Sequence, residues 1–346
     1  MKSTAFQSIT TDPVNGAPTP EALAAGHVTP VEHFFVRNHT APPQLAQAGV
    51  VRVDGLVQHA GSVALAGLPR TRVEATLQCA GNRRCGLIAH REIPGELPWT
   101  NEAIGNAVWE GVSLAAVLES AGVNDRDANA LHVWFTGADV VSGKGAPEAF
   151  GASIPFAKAM RPEVILADTM NGAPLEALHG APLRAIVPGY IGARSVKWLT
   201  DIRVERGIST STFQRAYSID SGAGAEVLGP LPVNSAFALP DSWNTVAGRV
   251  TVRGWAVASH DAVVERVEVS SDGGATWTAA RFTSPERRFT WRLWEADVTL
   301  PRGECELVCR AFDSAGASQS ALTAEVWNAR GYLNNSWHRV RAVVSA

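Results

Sequence analysis

The feature that most constrains this chain is a change of sequence pattern near residue 225. Beyond Pro230, Pro232 and Pro240, short runs of alternating apolar and polar residues recur at regular spacing. An Asp-Gly-Gly triplet at 272–274 marks a hairpin between two of these runs. Short strands joined in this way are typical of two packed antiparallel sheets. We therefore predict an all-β sandwich over residues 226–346.

Residues 1–225 show a mixed pattern instead. Period-two alternation predicts a strand over 70–78. Ser113 is placed to cap a helix that Gly122 would end. Helices and strands without regular βαβ alternation favour an α+β domain over a doubly wound sheet. We therefore predict an α+β domain over residues 1–225.

Three local predictions in this part rest on weaker patterns. The four prolines within residues 1–30 suggest an irregular segment held against a domain surface. The run VVRVDGLV (50–57) is interpreted as a strand, an Asp-Gly turn and a second strand. The run SIPFAKAM (153–160) is interpreted as a helix.

Charge is balanced along the 346 residues. Residues 1–225 hold 18 basic and 20 acidic side chains, and residues 226–346 hold 12 and 13. Without a basic region, electrostatic capture of nucleic acid or of an anionic membrane is not expected. No apolar run approaches the roughly 18 residues that span a bilayer, and the first residues carry no export signal. We expect a cytoplasmic protein.

The segment LQCAGNRRCG (77–86) is the most unusual part of the sequence. It ends a predicted strand with Cys79 in a Gly-Asn turn, beside Arg83 and Arg84. Neighbouring cations favour the thiolate, which is the form that binds a metal or attacks an electrophile. The alternative is an incidental buried cysteine near two surface arginines. Cys305 and Cys309 lie on one predicted strand and are interpreted as core residues.

Motifs along nearly the whole chain resemble those of the sulfite oxidase family of molybdenum enzymes. They occur in the family's order: HFFVRNH (33–39), TLQCAGNRR (76–84), ELPW (96–99), GASIP (151–155), MNG (170–172), HGAPLR (179–184), VPGYIGARSVKWL (187–199), Tyr217 and WNARGYLNNSWHRV (327–340). The resemblance implies a molybdopterin domain followed by an immunoglobulin-like dimerisation domain, and hence a homodimer.

The resemblance also implies a set of site residues. Cys79 would be the only protein ligand of molybdenum, with two dithiolene sulfurs of molybdopterin and two terminal oxygens completing the coordination. The residues implied in holding molybdopterin are Asn38, His39, Asp139, Ser153, His179, Arg184, Arg194, Ser195 and Lys197. Those implied in the catalytic anion pocket are Arg37, Arg84, Trp99, Tyr217 and Arg330. Arg330 would reach back from the second domain. Taken singly, His179 could equally be a core histidine and Lys197 a solvated lysine.

The implied reaction is oxidation of sulfite to sulfate, with electrons leaving one at a time. The sequence contains no His-Pro-Gly-Gly haem signature, and about 30 residues precede the first motif. We therefore expect a haem-free enzyme with a separate electron acceptor, for which a c-type cytochrome is one candidate.

Two other functions remain open at this point. The same cofactor could act on nitrate or a sulfoxide, or the chain could bind the cofactor without turnover. One departure from the family pattern is Asp168, where relatives have Tyr; it is not expected to reach the pocket.

Overall fold

The computed structural model describes residues 5–46, 49–123, 128–142, 146–220, 222, 224–240, 244–246 and 248–345. Strands dominate these residues, and the helices are short. The helices are α1 (Pro20–Ala24), α2 (Arg84–His90), α3 (Leu114–Ala121), α4 (Phe156–Ala159), α5 (Thr212–Ala216) and α6 (Thr323–Val326). In the part of the chain just defined, no helix is long and apolar enough to cross a membrane.

Strands before residue 230 build two sheets and two hairpins. They are β1 (Phe6–Thr11), β2 (Val14–Pro18), β3 (Val50–Gly55), β4 (Gly61–Ala64), β5 (Arg70–Gln78), β6 (Ile104–Ser113), β7 (Leu131–Val141), β8 (Glu148–Pro155), β9 (Ile165–Met170), β10 (Ala173–Pro174), β11 (Arg184–Ile186), β12 (Leu199–Arg206), β13 (Ser218–Asp220) and β14 (Ala225–Val227). One sheet has the order β10-β9-β6-β5, with β11 also paired to β9, and the other has the order β4-β3-β12-β7-β8. Their apolar faces enclose one core together with α3.

Strands after residue 230 form two facing sheets. They are β15 (Asn234–Leu239), β16 (Asn244–Val246), β17 (Gly248–Val257), β18 (Val264–Ser270), β19 (Thr278–Ala279), β20 (Arg281–Phe282), β21 (Arg292–Leu300), β22 (Gly303–Asp313) and β23 (His338–Ser345). The sheet orders are β15-β17-β21-β20 and β16-β23-β22-β18-β19. Val252 and Trp294 of the first sheet share a core with Val267 and Leu307 of the second, so the predicted sandwich is confirmed.

Several local predictions are confirmed because short-range signals determine them. β5 covers 70–78 as predicted. The Ser113 hydroxyl accepts a hydrogen bond from the amide of Ala116, and Gly122 ends α3 at a φ of 64°. The 272–274 triplet lies in the turn between β18 and β19. Cys305 and Cys309 both lie on β22, and Cys309 is fully buried.

Three local predictions are wrong. Residues 1–30 are not irregular, because β1 and β2 form a hairpin and α1 follows it. The prolines mark the boundaries of these elements, with Pro20 in the first turn of α1. The Asp54-Gly55 pair ends β3 rather than turning a hairpin, and β3 pairs with β4 across a longer connection. Residues 153–155 belong to β8, so only Phe156–Ala159 is helical.

The N-terminal segment contacts both halves of the molecule. Gly16 of β2 and Val36 exchange backbone hydrogen bonds of 3.0 and 2.8 Å. The carbonyl oxygen of His27 accepts a 2.8 Å hydrogen bond from the Trp291 indole in the sandwich. Helix α1 packs on β15 and β17. The segment therefore joins the two parts while forming one side of the site.

Candidate functional site

A cleft of about 720 Å³ lies where the segment after β2, the end of β5 and the loop before β12 meet. Clefts that bind cofactors enclose roughly 300–1,000 Å³. Ten of the residues that the sequence motifs singled out line it: Arg37, Asn38, His39, Cys79, Asp139, His179, Arg184, Ser195, Lys197 and Tyr217. Residues more than 170 positions apart therefore meet at one place.

Cys79 lies at the end of β5, where the chain leaves the sheet. Its amide donates to Ala103 O at 2.9 Å, and its carbonyl accepts from the amide of Asn82 at 3.0 Å, which fixes a tight turn. The Gly81 amide lies 3.4 Å from the sulfur and donates to it. Gly192 packs against the end of β5, where an added Cβ would lie 3.1 Å from the carbonyl oxygen of Gln78. The thiol therefore lines the cleft on a closely packed turn.

Arg37 and Asn38 are held by the N-terminal hairpin. The carboxamide oxygen of Asn15 accepts hydrogen bonds from the Asn38 amide at 2.7 Å and from Nη1 of Arg37 at 3.4 Å. Lys197 donates to Arg37 O at 3.1 Å, to Leu178 O at 3.2 Å and to the carboxamide oxygen of Asn38. Two cations are therefore fixed on one wall of the cleft.

Arg184 lies on another wall and is almost fully buried. Its Nη1 donates to His179 O at 2.7 Å and its Nη2 to Ser195 O at 3.0 Å. Burial lowers the pKa of Arg184 to about 9. Both of these acceptors are backbone carbonyls, so the cation retains the capacity to pair with an anion that enters the cleft.

Unsatisfied polar atoms line the same space. Asn38 Nδ2, Asp139 Oδ1 and Arg184 Nε are buried and find no hydrogen-bond partner among the described residues. Burial raises the pKa of Asp139 to about 6, against the opposing effect of Lys197. Buried polar groups usually have partners, because an unpaired one costs about 1–3 kcal/mol. The cleft is therefore suited to a ligand that carries its own donors and acceptors.

His39 and Tyr217 complete the lining. The His39 ring stacks on Phe150, with centroids 5.3 Å apart, and lies at the same centroid distance from Phe213. Burial, together with the charges of Arg37 and Lys197, lowers the pKa of His39 to about 3, so this imidazole is neutral near pH 7. Burial raises the pKa of Tyr217, so its phenol keeps its proton.

Three residues of the expected anion pocket lie outside the cleft lining. Arg84 is buried behind it, where Nη1 donates to Leu97 O at 2.7 Å and Nη2 lies 3.4 Å from a Glu96 carboxylate oxygen. Trp99 is fully buried. The Arg330 side chain is 56% exposed and lies 3.9 Å from Glu96, whereas its carbonyl oxygen accepts a 3.1 Å hydrogen bond from Arg84. It is the backbone at 330 that reaches the first half of the chain.

Ser153 and Arg194 support the cleft from below and are not among its lining residues. The carboxamide oxygen of Gln214 accepts from the Ser153 amide at 2.8 Å and from Nη1 of Arg194 at 2.7 Å. Arg194 also donates twice to Leu228 O. Gln214 lies in α5, three residues before Tyr217, so this network fixes the segment that carries the phenol.

Sequence reasoning missed three residues that hold the site: Asn15, Gln214 and Tyr332. Tyr332 had a detectable signal, because it lies inside a quoted motif and is one of three tyrosines in the chain. Asn15 and Gln214 had none, since their partners are distant in sequence.

The donor set fits a molybdopterin. Three cations around the cleft suit a phosphate, the unsatisfied polar atoms suit a pterin ring, and one thiol suits a soft metal. Among the residues that the structure describes, no group of three or more His, Cys, Asp or Glu side chains could hold a metal ion. A metal at Cys79 would therefore take most of its ligands from the cofactor.

Comparisons with known proteins agree with this site. The family model described as "Oxidoreductase molybdopterin binding domain" matches residues 39–213, and the one described as "Mo-co oxidoreductase dimerisation domain" matches residues 226–345. Sulfite oxidase of Gallus gallus is 41% identical, with 94% of this chain and 75% of that protein covered. Mitochondrial sulfite oxidase of Homo sapiens is 40% identical over 96% of this chain, which spans only 65% of that relative's length.

Two further relatives differ in their named activities. An inducible NADH nitrate reductase of Glycine max is 34% identical over 94% of this chain and 40% of that protein. The solved structure of the sulfane dehydrogenase SoxCD from Paracoccus pantotrophus superposes with a TM-score of 0.82 at 26% identity, covering 99% of this chain and 87% of that chain. The resemblance drawn from the motifs is confirmed: this chain belongs to the sulfite oxidase family of molybdopterin-binding oxidoreductases.

Proposed function

We propose that this chain is a molybdenum-dependent sulfite oxidase that converts sulfite to sulfate and passes electrons singly to a separate acceptor. The observation that carries the proposal is one cleft that combines the Cys79 thiol with Arg37 and Tyr217. A small oxyanion needs cationic and hydrogen-bonding donors aimed at one point beside the reactive centre. The named activity of the sulfite oxidases among its relatives supports the same substrate.

Each residue has a distinct proposed role. Cys79 ligates molybdenum, while Arg184, Lys197, His179, Asp139 and Asn38 hold the molybdopterin, with His39 and Ser195 beside them and Ser153 and Arg194 beneath. The bound cofactor supplies oxygen-atom transfer and accepts two electrons. Arg37 and Tyr217 bind and orient the anion, and Arg84, Trp99 and Arg330 complete the pocket. A well-placed donor of this kind is worth about 3 kcal/mol in the transition state.

The chain's organisation is part of the proposal. Residues 1–225 form the molybdopterin domain, and residues 226–346 form an immunoglobulin-like domain through which two copies associate. The match of residues 226–345 to a dimerisation-domain model supports the second assignment. A C2 homodimer is the commonest arrangement for such an interface.

The test is sulfite-dependent reduction of ferricyanide by protein from a host that makes molybdopterin, with molybdenum quantified on the same sample. Turnover in proportion to molybdenum content is the expected result. Loaded protein that does not oxidise sulfite would contradict the proposal.

The nitrate reductase and the sulfane dehydrogenase among the relatives make two other substrates worth including. Nitrate, supplied with a reduced dye, and a protein-bound sulfane should each be assayed on the same loaded sample. A kcat/KM for either that exceeds the value for sulfite would replace sulfite as the substrate.

A further inference from the structure

The segment 330–332, which follows the strands of the sandwich, clasps Arg84. Nε of Arg84 lies 3.1 Å from Arg330 O and 3.2 Å from Gly331 O and donates to both. Gly331 has a φ of 61°, and an added Cβ would lie 2.6 Å from Cγ of Arg84. Only glycine therefore allows the two backbones to approach so closely. This contact fixes where the next side chain, Tyr332, can lie.

The backbone of Tyr332 is held on both sides. Its amide donates to the side-chain oxygen of Asn328 at 3.1 Å, and its carbonyl accepts from Nδ2 of Asn328 at 2.8 Å. The next residue, Leu333, donates its amide to Ala80 O at 2.7 Å, directly beside Cys79. The segment is thereby fastened to the turn that carries the thiol.

The Tyr332 ring stacks on Tyr217. The ring centroids are 5.4 Å apart and the planes differ by 23°. The guanidinium carbon of Arg84 lies 5.2 Å from the Tyr332 centroid, within range of a cation–π interaction. Tyr332 is 7% exposed and does not line the cleft, whereas Tyr217 does. One ring from the second half of the chain therefore contacts two residues of the proposed anion pocket.

The other contacts of the Tyr217 ring are weaker constraints. The guanidinium carbon of Arg194 lies 6.0 Å from its centroid, at the limit of a cation–π contact. The carbonyl of Tyr217 accepts from the Leu228 amide at 2.8 Å, which fixes the backbone but leaves the ring free to rotate. The stack with Tyr332 is the contact that sets the orientation of the ring.

We infer that Tyr332 is a positioning residue, contributed by the second half of the chain, that holds the Tyr217 phenol in its orientation for binding the oxyanion substrate. The inference rests on the proposed function for the identity of the anion. The stack needs a flat ring but not its hydroxyl, because the parallel faces make the contact. Phenylalanine should therefore replace Tyr332, and an aliphatic side chain should not.

The experiment compares Tyr332→Phe, Tyr332→Leu and Tyr332→Met in the molybdenum-loaded protein, with Tyr190→Leu as the matched control. Tyr190 is the third tyrosine; it is buried, but its ring contacts His260 and Lys158 outside the cleft. We expect Leu and Met to raise the KM for sulfite at least about fivefold with a smaller effect on kcat, and Phe to stay within about twofold. An unchanged KM in a loaded Leu or Met variant would overturn the inference.

A crystal structure of each variant provides a readout that needs no turnover. The Tyr217 ring should rotate in Tyr332→Leu and keep its orientation in Tyr332→Phe and in the control. If the ring keeps its orientation in the Leu and Met variants, Tyr332 does not position it. If the wild-type protein is inactive on sulfite while the ring rotates as expected, the proposed substrate is wrong and the positioning role stands.

Discussion

Arg83 and Asn334 each bind the backbone of the other across 251 residues of sequence. Nη1 of Arg83 donates to Asn334 O at 3.4 Å, and Nδ2 of Asn334 donates to Arg83 O at 2.8 Å. Nη1 also donates to the side-chain oxygen of Asn234 at 2.5 Å. Arg83 is buried in the turn after Cys79, so this exchange joins the proposed metal site to the sandwich. Burial lowers the pKa of this guanidinium to about 10, which leaves it charged near pH 7.

Replacing Arg83 should loosen this junction. Arg83→Met keeps much of the side-chain volume but leaves buried oxygens of Asn234 and Asn334 without their donor. We expect a loss of about 3 kcal/mol in the free energy of unfolding, since each buried unsatisfied group costs about 1–3 kcal/mol. Urea denaturation measures it, with Arg302→Met at an exposed position as the control. Equal stability of the two variants would contradict the role of Arg83.

Cys79→Ser should abolish turnover without unfolding the chain. Sulfur and oxygen differ little in size, so packing is preserved, but a serine hydroxyl is a poor ligand for a metal that prefers thiolate. The measurement is the sulfite-dependent rate per molybdenum, alongside the Tm. Cys85→Ser is the matched control, because Cys85 lies six residues away and outside the cleft lining. A loaded Cys79→Ser protein with the wild-type rate would refute the ligand assignment.

Asn15→Ala should weaken binding of the anionic substrate. It removes the acceptor that holds both Arg37 and the Asn38 amide. We expect the KM for sulfite to rise about tenfold, equivalent to about 1.4 kcal/mol, with kcat less affected. Thr10→Ala removes a neighbour of Asn15 in the same hairpin and serves as the control. A similar KM in both variants would show that Asn15 does not act on Arg37.

Acid should destabilise the protein partly through His338. This imidazole is buried, with Nδ1 accepting from the Phe237 amide at 3.1 Å. Burial, with a further contribution from Arg83, holds its pKa well below the usual value of 6.5. The unfolded chain therefore binds the proton more readily, so this stability is complete above about pH 6.5 and falls below it by about 1.4 kcal/mol per pH unit.

The corresponding variant is His338→Asn, whose side-chain oxygen can accept from the Phe237 amide without titrating near pH 6. Its free energy of unfolding should fall less steeply between pH 6.5 and 5 than that of the wild type, by roughly that amount per unit. His90→Asn, at an exposed position, should leave the slope unchanged. Equal slopes for wild type and His338→Asn would exclude the effect.

Local signals made much of the fold predictable. Ser113 and Gly122 bracket α3 because a cap and a left-handed terminus are decided within a few residues. The strand that ends at Cys79 and the hairpin at 272–274 were predictable for the same reason. The hairpin of β1 and β2 was not, because prolines read as breakers there lie at element boundaries.

The site could be predicted only as far as the motifs reach. They named the ten residues that line the cleft, but not their arrangement. Nothing near Arg84 in the sequence indicates that a glycine 247 positions later will lie against it. The position of Tyr332 on Tyr217 likewise depends on how the two halves pack.

The N-terminal segment, which contacts both halves, has a consequence for biosynthesis. Its hairpin can form early, but the Trp291 indole that binds His27 is synthesised 264 residues later. At about 5–20 residues per second, translation leaves α1 without its place on the sandwich for tens of seconds. The first residues to leave the ribosome are thus among the last to reach their final contacts.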